Sequence, residues 1–134
     1  MNRKDMADKR HKSGYNCAQA VACSFADKAG VDETLLFRAC EGFGLGMGCM
    51  DGNCGALSGA ILLAGLKNSC GDLKNPSSKQ ETYRLSKEIY RRFVEKTGGS
   101  VCKELKGMGT GKILCSCPDC IKAGVETVEE VLGM

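Results

Sequence analysis

The sequence predicts an all-α fold, a bundle of about four to five helices with a glycine-rich loop, in a single domain spanning residues 1–134. Three observations predict it. Apolar residues recur at helical spacing in several segments, and no segment alternates convincingly as a strand. Aromatic residues make up only 5% of the chain and Trp is absent, while 18 glycines and many alanines supply a core of small and aliphatic side chains, which suits closely packed helices. A chain of 134 residues buries roughly two-thirds of its unfolded surface in one core, so disulfides are not needed for folding.

The helices follow in order. Lys4–Arg10 lies in the dense stretch Arg3 to Lys12, where Asp5 and Asp8 alternate with basic residues, and reads as a solvated face. Asn16–Lys28 places Cys17, Val21, Ser24 and Phe25 on one side, and Asp32–Glu41 starts at an N-cap candidate, Asp32. Gly30, Gly42 and Gly98 stand where C-terminal glycines are expected. Cys54–Leu66 follows a second N-cap candidate, Asn53, and opens with small residues at four-residue spacing in Gly55-Ala56-Leu57-Ser58-Gly59-Ala60. Helical glycine costs about 1 kcal/mol relative to alanine. Close approach of a neighbouring helix offsets that cost, or a cofactor lies against the bare helix surface. Lys79–Lys96 begins with a capping-box pattern, Ser78 with Glu81, and presents Tyr83, Ser86, Tyr90, Phe93 and Val94 together. A short turn is expected near Cys102–Lys106. In Pro118–Leu132, Ile121, Val125, Val128 and Leu132 share a face, and proline at the first helical position makes Cys117 the expected N-cap.

Between Gly42 and Gly55 nearly every second residue is glycine. Such a segment brings backbone amides close to an anion or an inorganic centre, or serves as a flexible connection. It does not spell GxGxxG, follows no expected strand and lacks the GK[ST] ending of a P-loop, so it does not support a nucleotide site.

The formal net charge of +3, from 19 basic and 16 acidic residues, is too weak to argue for nucleic acid. The N-terminus lacks the apolar core of a signal peptide, and the longest apolar run, Ala60 to Leu66, is too short to span a bilayer, so no membrane insertion is expected. The expected location is the cytoplasm. There, ten cysteines are thiols, metal ligands or catalytic groups, since structural disulfides do not persist in a reducing compartment.

Four cysteines share a local position at or near the first turn of an expected helix: Cys17, Cys54, Cys102 and Cys117. Amide groups and the helix dipole there favour the thiolate. Cys23 and Cys40 read as small buried hydrophobes. Cys49, Cys70 and Cys115 fall in loops, and Cys115, Cys117 and Cys120 form the densest cluster, Cys-Ser-Cys-Pro-Asp-Cys. Cys117 and Cys120 have the form of a dithiol pair, without the strand-helix-strand context of a thioredoxin. Ile121 follows Cys120, so the haem pattern CxxCH fails, and His11 is the only histidine, which removes support from His-containing zinc sites, Rieske centres and hydrolase nucleophile-base pairs. Cys49-x4-Cys54 begins like a plant-type ferredoxin site, but Leu57 stands where the next ligand belongs. What remains is a four-thiolate centre assembled from distant helix ends, suited to iron-sulfur or zinc.

The residues Gly14 to Val21 around Cys17, then Cys54-Gly55-Ala56-Leu57-Ser58-Gly59-Ala60, then Cys102 to Gly107, and finally Cys117-Pro118 resemble the redox-active family named for its pattern C, GCAxxG, C, C, whose members share a CGAxxG motif. The resemblance runs over nearly the whole chain. It implies that Cys17, Cys54, Cys102 and Cys117 are the shared four. The chain is also similar to the iron-sulfur domain of split-Soret cytochromes, which implies a two-iron cluster, [2Fe-2S], as the cofactor. Six further cysteines and a short connection between Cys102 and Cys117 depart from the family pattern, and make Cys120 the chief substitute among the ligands.

The leading expectation is therefore an electron-transfer or redox-sensing module whose four cysteines hold the cluster, whose Gly55 and Gly59 leave room beside it, and whose Gly42–Gly55 loop supplies amides that tune its potential. A redox partner protein is expected, and a homodimer is an open arrangement. The alternatives are a thiol-disulfide oxidoreductase using Cys117 and Cys120, or a structural zinc domain.

Overall fold

Small side chains decide where the backbones of this protein meet. A computed structural model describes residues 1–134, of which 66% are helical with no strand. The elements are α1 (Arg3–Lys12), α2 (Cys17–Cys23), α3 (Ala26–Ala29), α4 (Glu33–Cys40), a 3-10 turn (Glu41–Phe43), α5 (Gly44–Met47), α6 (Gly55–Asn68), α7 (Lys79–Thr97), α8 (Cys102–Leu105) and α9 (Cys117–Leu132). The fold is all-α as expected. The helices outnumber the expected four to five because one of them breaks and several single turns form between the long ones.

At the centre, α2 is buried from Ala18 to Cys23 and crosses α6 backbone to backbone. A methyl group added at Gly59 would stand 2.6 Å from the carbonyl oxygen of Ala18, and one at Gly124 in α9 would stand 3.0 Å from that of Ala56. The small residues of α6 are thus matched by helices on two sides, and dispersion attraction between the closely packed backbones offsets the helix propensity that glycine gives up. Leu57, Leu63, Ile89, Phe93, Ile121, Val125 and Val128 fill the remaining core from α6, α7 and α9.

The expected helix Asn16–Lys28 is two helices. The Ser24 hydroxyl donates to the Val21 carbonyl (2.8 Å), Phe25 leaves the helical region at φ −116°, and the Arg3 guanidinium donates to the freed Ser24 carbonyl (2.7 Å). The break is therefore satisfied from α1, while Phe25 is fully buried beneath it. Asp32 caps α4 by accepting from the Leu35 N–H (3.3 Å), and Gly30 and Gly98 take left-handed conformations as expected. Gly42 instead lies inside the 3-10 turn. Ser78 forms no capping box; its hydroxyl accepts from the Cys70 N–H (2.9 Å), and Glu81 pairs with Arg84.

Polar α1 buries only Ala7 and is held by charge: Lys4 to Glu126, Arg3 to Asp27, and Arg10 to Glu33. Glu33 accepts from Arg10 (2.8 and 3.1 Å) and from the Tyr15 hydroxyl (2.6 Å), which steadies the connection that leads into Cys17. The Arg10 hydrogen bond holds the Glu33 carboxyl below its ordinary value of 4.5. A lowered carboxylate adds stability above its unfolded-chain value and loses it as the pH falls through the folded one. Glu33→Gln is expected to lower stability by about 1 kcal/mol at neutral pH, after allowance for the exposure of the group. In urea denaturation, the gap to the wild type should narrow as the pH falls below 4.5.

Candidate functional site

Four helix starts converge on one point. Asn16 caps α2 in a reciprocal capping box with Gln19 (2.9 Å each way), which makes Cys17 the first helical residue. Cys54 is itself the N-cap of α6, its N–H donating to the Ser100 carbonyl (2.7 Å), while Asn53 bridges to Val101. Cys102 opens α8, its N–H donating to the Gly52 carbonyl (3.0 Å). Cys117 opens α9 but is not its cap. Ser116 takes that place, its hydroxyl accepting from the Asp119 N–H (3.3 Å), and Pro118 moves to the second helical position. A hydroxyl is a better acceptor than a thiol, so serine wins the cap.

These four cysteines line one cavity of about 20 Å³, room for a single water-sized group. Cys115 and Cys120 complete a ring of six thiols, closed by Gly55, Leu45, Leu105 and Lys106. Gly55 thus lies in the wall. Gly59, one turn further along α6, lies outside it at the crossing with Ala18. Cys23 and Cys40 are buried away from the cavity, and Cys49 and Cys70 are exposed. The sequence alone does not place Cys115 and does not single out Lys106. The four-residue spacing of Lys106 from Cys102, which puts both on one helical face, is the available signal.

Neighbouring thiols in the cavity shift one another in opposite directions. Cys117 is pushed down to about 5, first by the neighbouring Cys17 thiol and then by Lys106 beside it. Cys17 is correspondingly pushed up. Cys54 is lowered by the Cys120 thiol and by the backbone N–H groups of Ala56 and Leu57, and Cys120 is raised. Burial raises Cys102 and Cys115. The expectation that all four helix-start cysteines favour the thiolate therefore holds for Cys54 and Cys117. At Cys17 and Cys102 the partner thiolate and burial, respectively, outweigh the helix terminus.

The glycine-rich loop contributes differently from expectation. Leu45, Gly46, Met47 and Gly48 all have positive φ (55°, 57°, 62° and 78°), a left-handed turn that costs a non-glycine residue about 1–2 kcal/mol. The turn is held because the N–H groups of Met50 and Gly52 donate to the carbonyls of Leu45 (2.8 Å) and Gly46 (3.1 Å), and Lys103 N–H donates to Met50 (3.0 Å). The loop amides of Gly48, Cys49, Met50 and Gly52 are thus spent on carbonyls. The amides that reach a thiolate belong to the first turn of α6. What the loop does is set Leu45 in the cavity wall and Gly46 directly against Cys102. A methyl group at Gly46 would overlap the Cys102 Cβ, and Gly46→Ala is expected to destabilise the protein by about 1–3 kcal/mol in thermal melts. Gly48→Ala, with nothing within 4 Å, should lose less.

As the side chains stand, no three His, Cys, Asp or Glu groups are drawn together tightly enough to ligate one ion. The donor chemistry nevertheless fits a soft centre: six convergent sulfurs, two of them with lowered pKa values, in a pocket with a single cation and mostly apolar walls. No helix is long and apolar enough to cross a membrane.

An all-helical chain that gathers six thiols from four helix starts defines a small protein built around a cysteine centre. The chain belongs to the family described as "Putative redox-active protein (C_GCAxxG_C_C)", whose model matches residues 15–131. No curated protein and no solved structure matches it.

Proposed function

We propose that this redox-active protein holds an iron-sulfur cluster, of the [2Fe-2S] kind, on Cys17, Cys54, Cys102 and Cys117, for electron transfer or redox sensing with a partner protein. The observation that supports it most is the convergence of these four helix-start cysteines on one pocket, with the pKa values of Cys54 and Cys117 lowered. The bound cluster would supply one-electron chemistry. The Cys120 thiol and the Ala56 and Leu57 N–H groups favour the thiolate form of Cys54, Leu45 and Leu105 wall the sulfurs, and Lys106 offsets negative charge. Cys117, the first residue of α9, is the ligand that the reading names, and Cys120, which lines the same pocket, is its substitute. Anaerobic purification with iron, acid-labile sulfide and visible absorption measurements should give about two irons and two sulfides per chain. Zinc in place of iron would favour the structural alternative. A colourless protein that resists reconstitution would overturn the reading.

Thiol-disulfide exchange is a second reading, favoured by the low-pKa Cys117. The sequence pairs Cys117 with Cys120, and the pocket also brings Cys17 beside Cys117 as a second candidate partner. A Cys117–Cys120 or Cys17–Cys117 disulfide that forms and exchanges reversibly in metal-free protein is the outcome that would support it.

A further inference from the structure

Among the ten residues that wall the cavity, one is charged, and nothing in the cysteine pattern accounts for it: Lys106. We propose that Lys106 is the charge-compensating residue of the thiolate centre, its ammonium raising the reduction potential of the cluster those cysteines hold. The inference rests on the reading of the site as a cluster site.

Three features of the structure carry it. Lys106 follows the single turn α8 and lies four residues after Cys102, so one helical turn presents both to the cavity. The segment is clamped from the other side: the Leu105 carbonyl accepts from the N–H groups of Leu114 (3.0 Å) and Cys115 (3.1 Å), and Gly107, at φ 76°, leaves no room for a methyl group against the Lys112 carbonyl. Lys106 is thereby fixed between the turn that bears Cys102 and the arm that bears Cys115 and Cys117. Finally, its charge is not spent elsewhere. Neighbouring Lys103 is paired with Asp51 (2.9 Å), whereas the groups that act on Lys106 are the sulfurs of Cys117, Cys102 and Cys17. His11 also acts on Cys117, but less than Lys106 does, and its ring nitrogen contacts the Tyr15 carbonyl (3.1 Å). Asp119 acts on Cys115.

Reduction adds one electron and so one negative charge to the centre. A half-buried cation beside it stabilises the reduced form more than the oxidised one, because the local dielectric is well below that of water. Removing the cation must shift the couple toward the oxidised form.

The test is a redox titration of the anaerobically loaded full chain, comparing wild type with Lys106→Met and Lys106→Arg, each with its iron and sulfide content measured first. Compared per loaded centre, Lys106→Met should show at least a tenfold fall in the reduced-to-oxidised ratio at a fixed potential, a midpoint about 59 mV lower for one electron. Lys106→Arg should restore the wild-type midpoint. An unchanged midpoint in Lys106→Met, or a midpoint in Lys106→Arg as low as that of Lys106→Met, would overturn the assignment. A wild-type protein that takes up no iron or sulfide would overturn the cluster reading itself, and the assignment with it.

Discussion

Replacing Cys54 with Ser is expected to abolish stable binding of the proposed cluster while most of the helical signal survives. Cys54 is nearly buried, caps α6, and receives the Ala56 and Leu57 N–H groups. Serine matches its shape and is among the preferred N-cap residues, so α6 keeps its start and the packed faces of α2, α6 and α9 are untouched. What is lost is the sulfur. A hydroxyl is a poor ligand for a soft centre, and metal content after desalting should fall at least tenfold. Cys23→Ser is the control. Cys23 lies outside the cavity, with its thiol near the Glu33 carbonyl (3.8 Å), and its replacement should leave iron and sulfide content unchanged. Parallel circular dichroism and iron analysis of the two anaerobically prepared variants would check both expectations. Equal metal content in the two would remove Cys54 from the ligand set.

Gly59→Val should be the most destabilising single change in the helix crossing. The atoms that a new Cβ would meet are the Ala18 carbonyl oxygen (2.6 Å), Cα (3.2 Å) and carbonyl carbon (3.3 Å). All three are backbone, so no rotamer change relieves the overlap and α2 must move off α6. Overpacking that displaces backbone costs about 3 kcal/mol or more, and β-branching adds to it within a helix. Because α2 carries Cys17 and α6 carries Cys54, the same movement opens the thiol ring. Gly65→Ala in the same helix is the contrast: nothing lies within 4 Å of its Cβ position and its φ is not positive. That change should stabilise the protein by up to about 1 kcal/mol. Thermal and urea melts of the two variants would separate crossing from propensity.

Much of this architecture was legible in the chain. The apolar face of α9 could be read from Ile121, Val125, Val128 and Leu132, all of them buried, because helical periodicity reports burial directly. The glycines of α6 signalled an unusual neighbour, and the Ala18 backbone is the one found at Gly59. The placement of Cys17, Cys54, Cys102 and Cys117 at helix starts was visible from Asn16, the small-residue run and Pro118. What escaped was set by contacts remote in sequence. The end of α2 depends on Arg3 reaching the Ser24 carbonyl, and the left-handed turn at Leu45 depends on hydrogen bonds within the loop and from Lys103. The meeting of Cys17 and Cys54 with Cys117 and Cys120 in one pocket joins residues on different helices, and no local pattern specifies it. The start of α9 lies one residue before the expected one because Ser116, the stronger acceptor, takes the cap that Pro118 suggests for Cys117.

Cysteine-resolved differential alkylation tests the central claim most directly, because the pocket cysteines are compared in one sample with exposed Cys49 and Cys70 as references. Metal-free and anaerobically loaded protein are labelled in parallel, and the ratio of labelling is read at every cysteine by peptide mass spectrometry. Loading is predicted to protect Cys17, Cys54, Cys102 and Cys117 at least tenfold, with ratios near unity at Cys23, Cys40, Cys49 and Cys70. Equal labelling of the four helix-start cysteines in the two states, or protection centred on Cys23, Cys40, Cys49 or Cys70, would contradict the account.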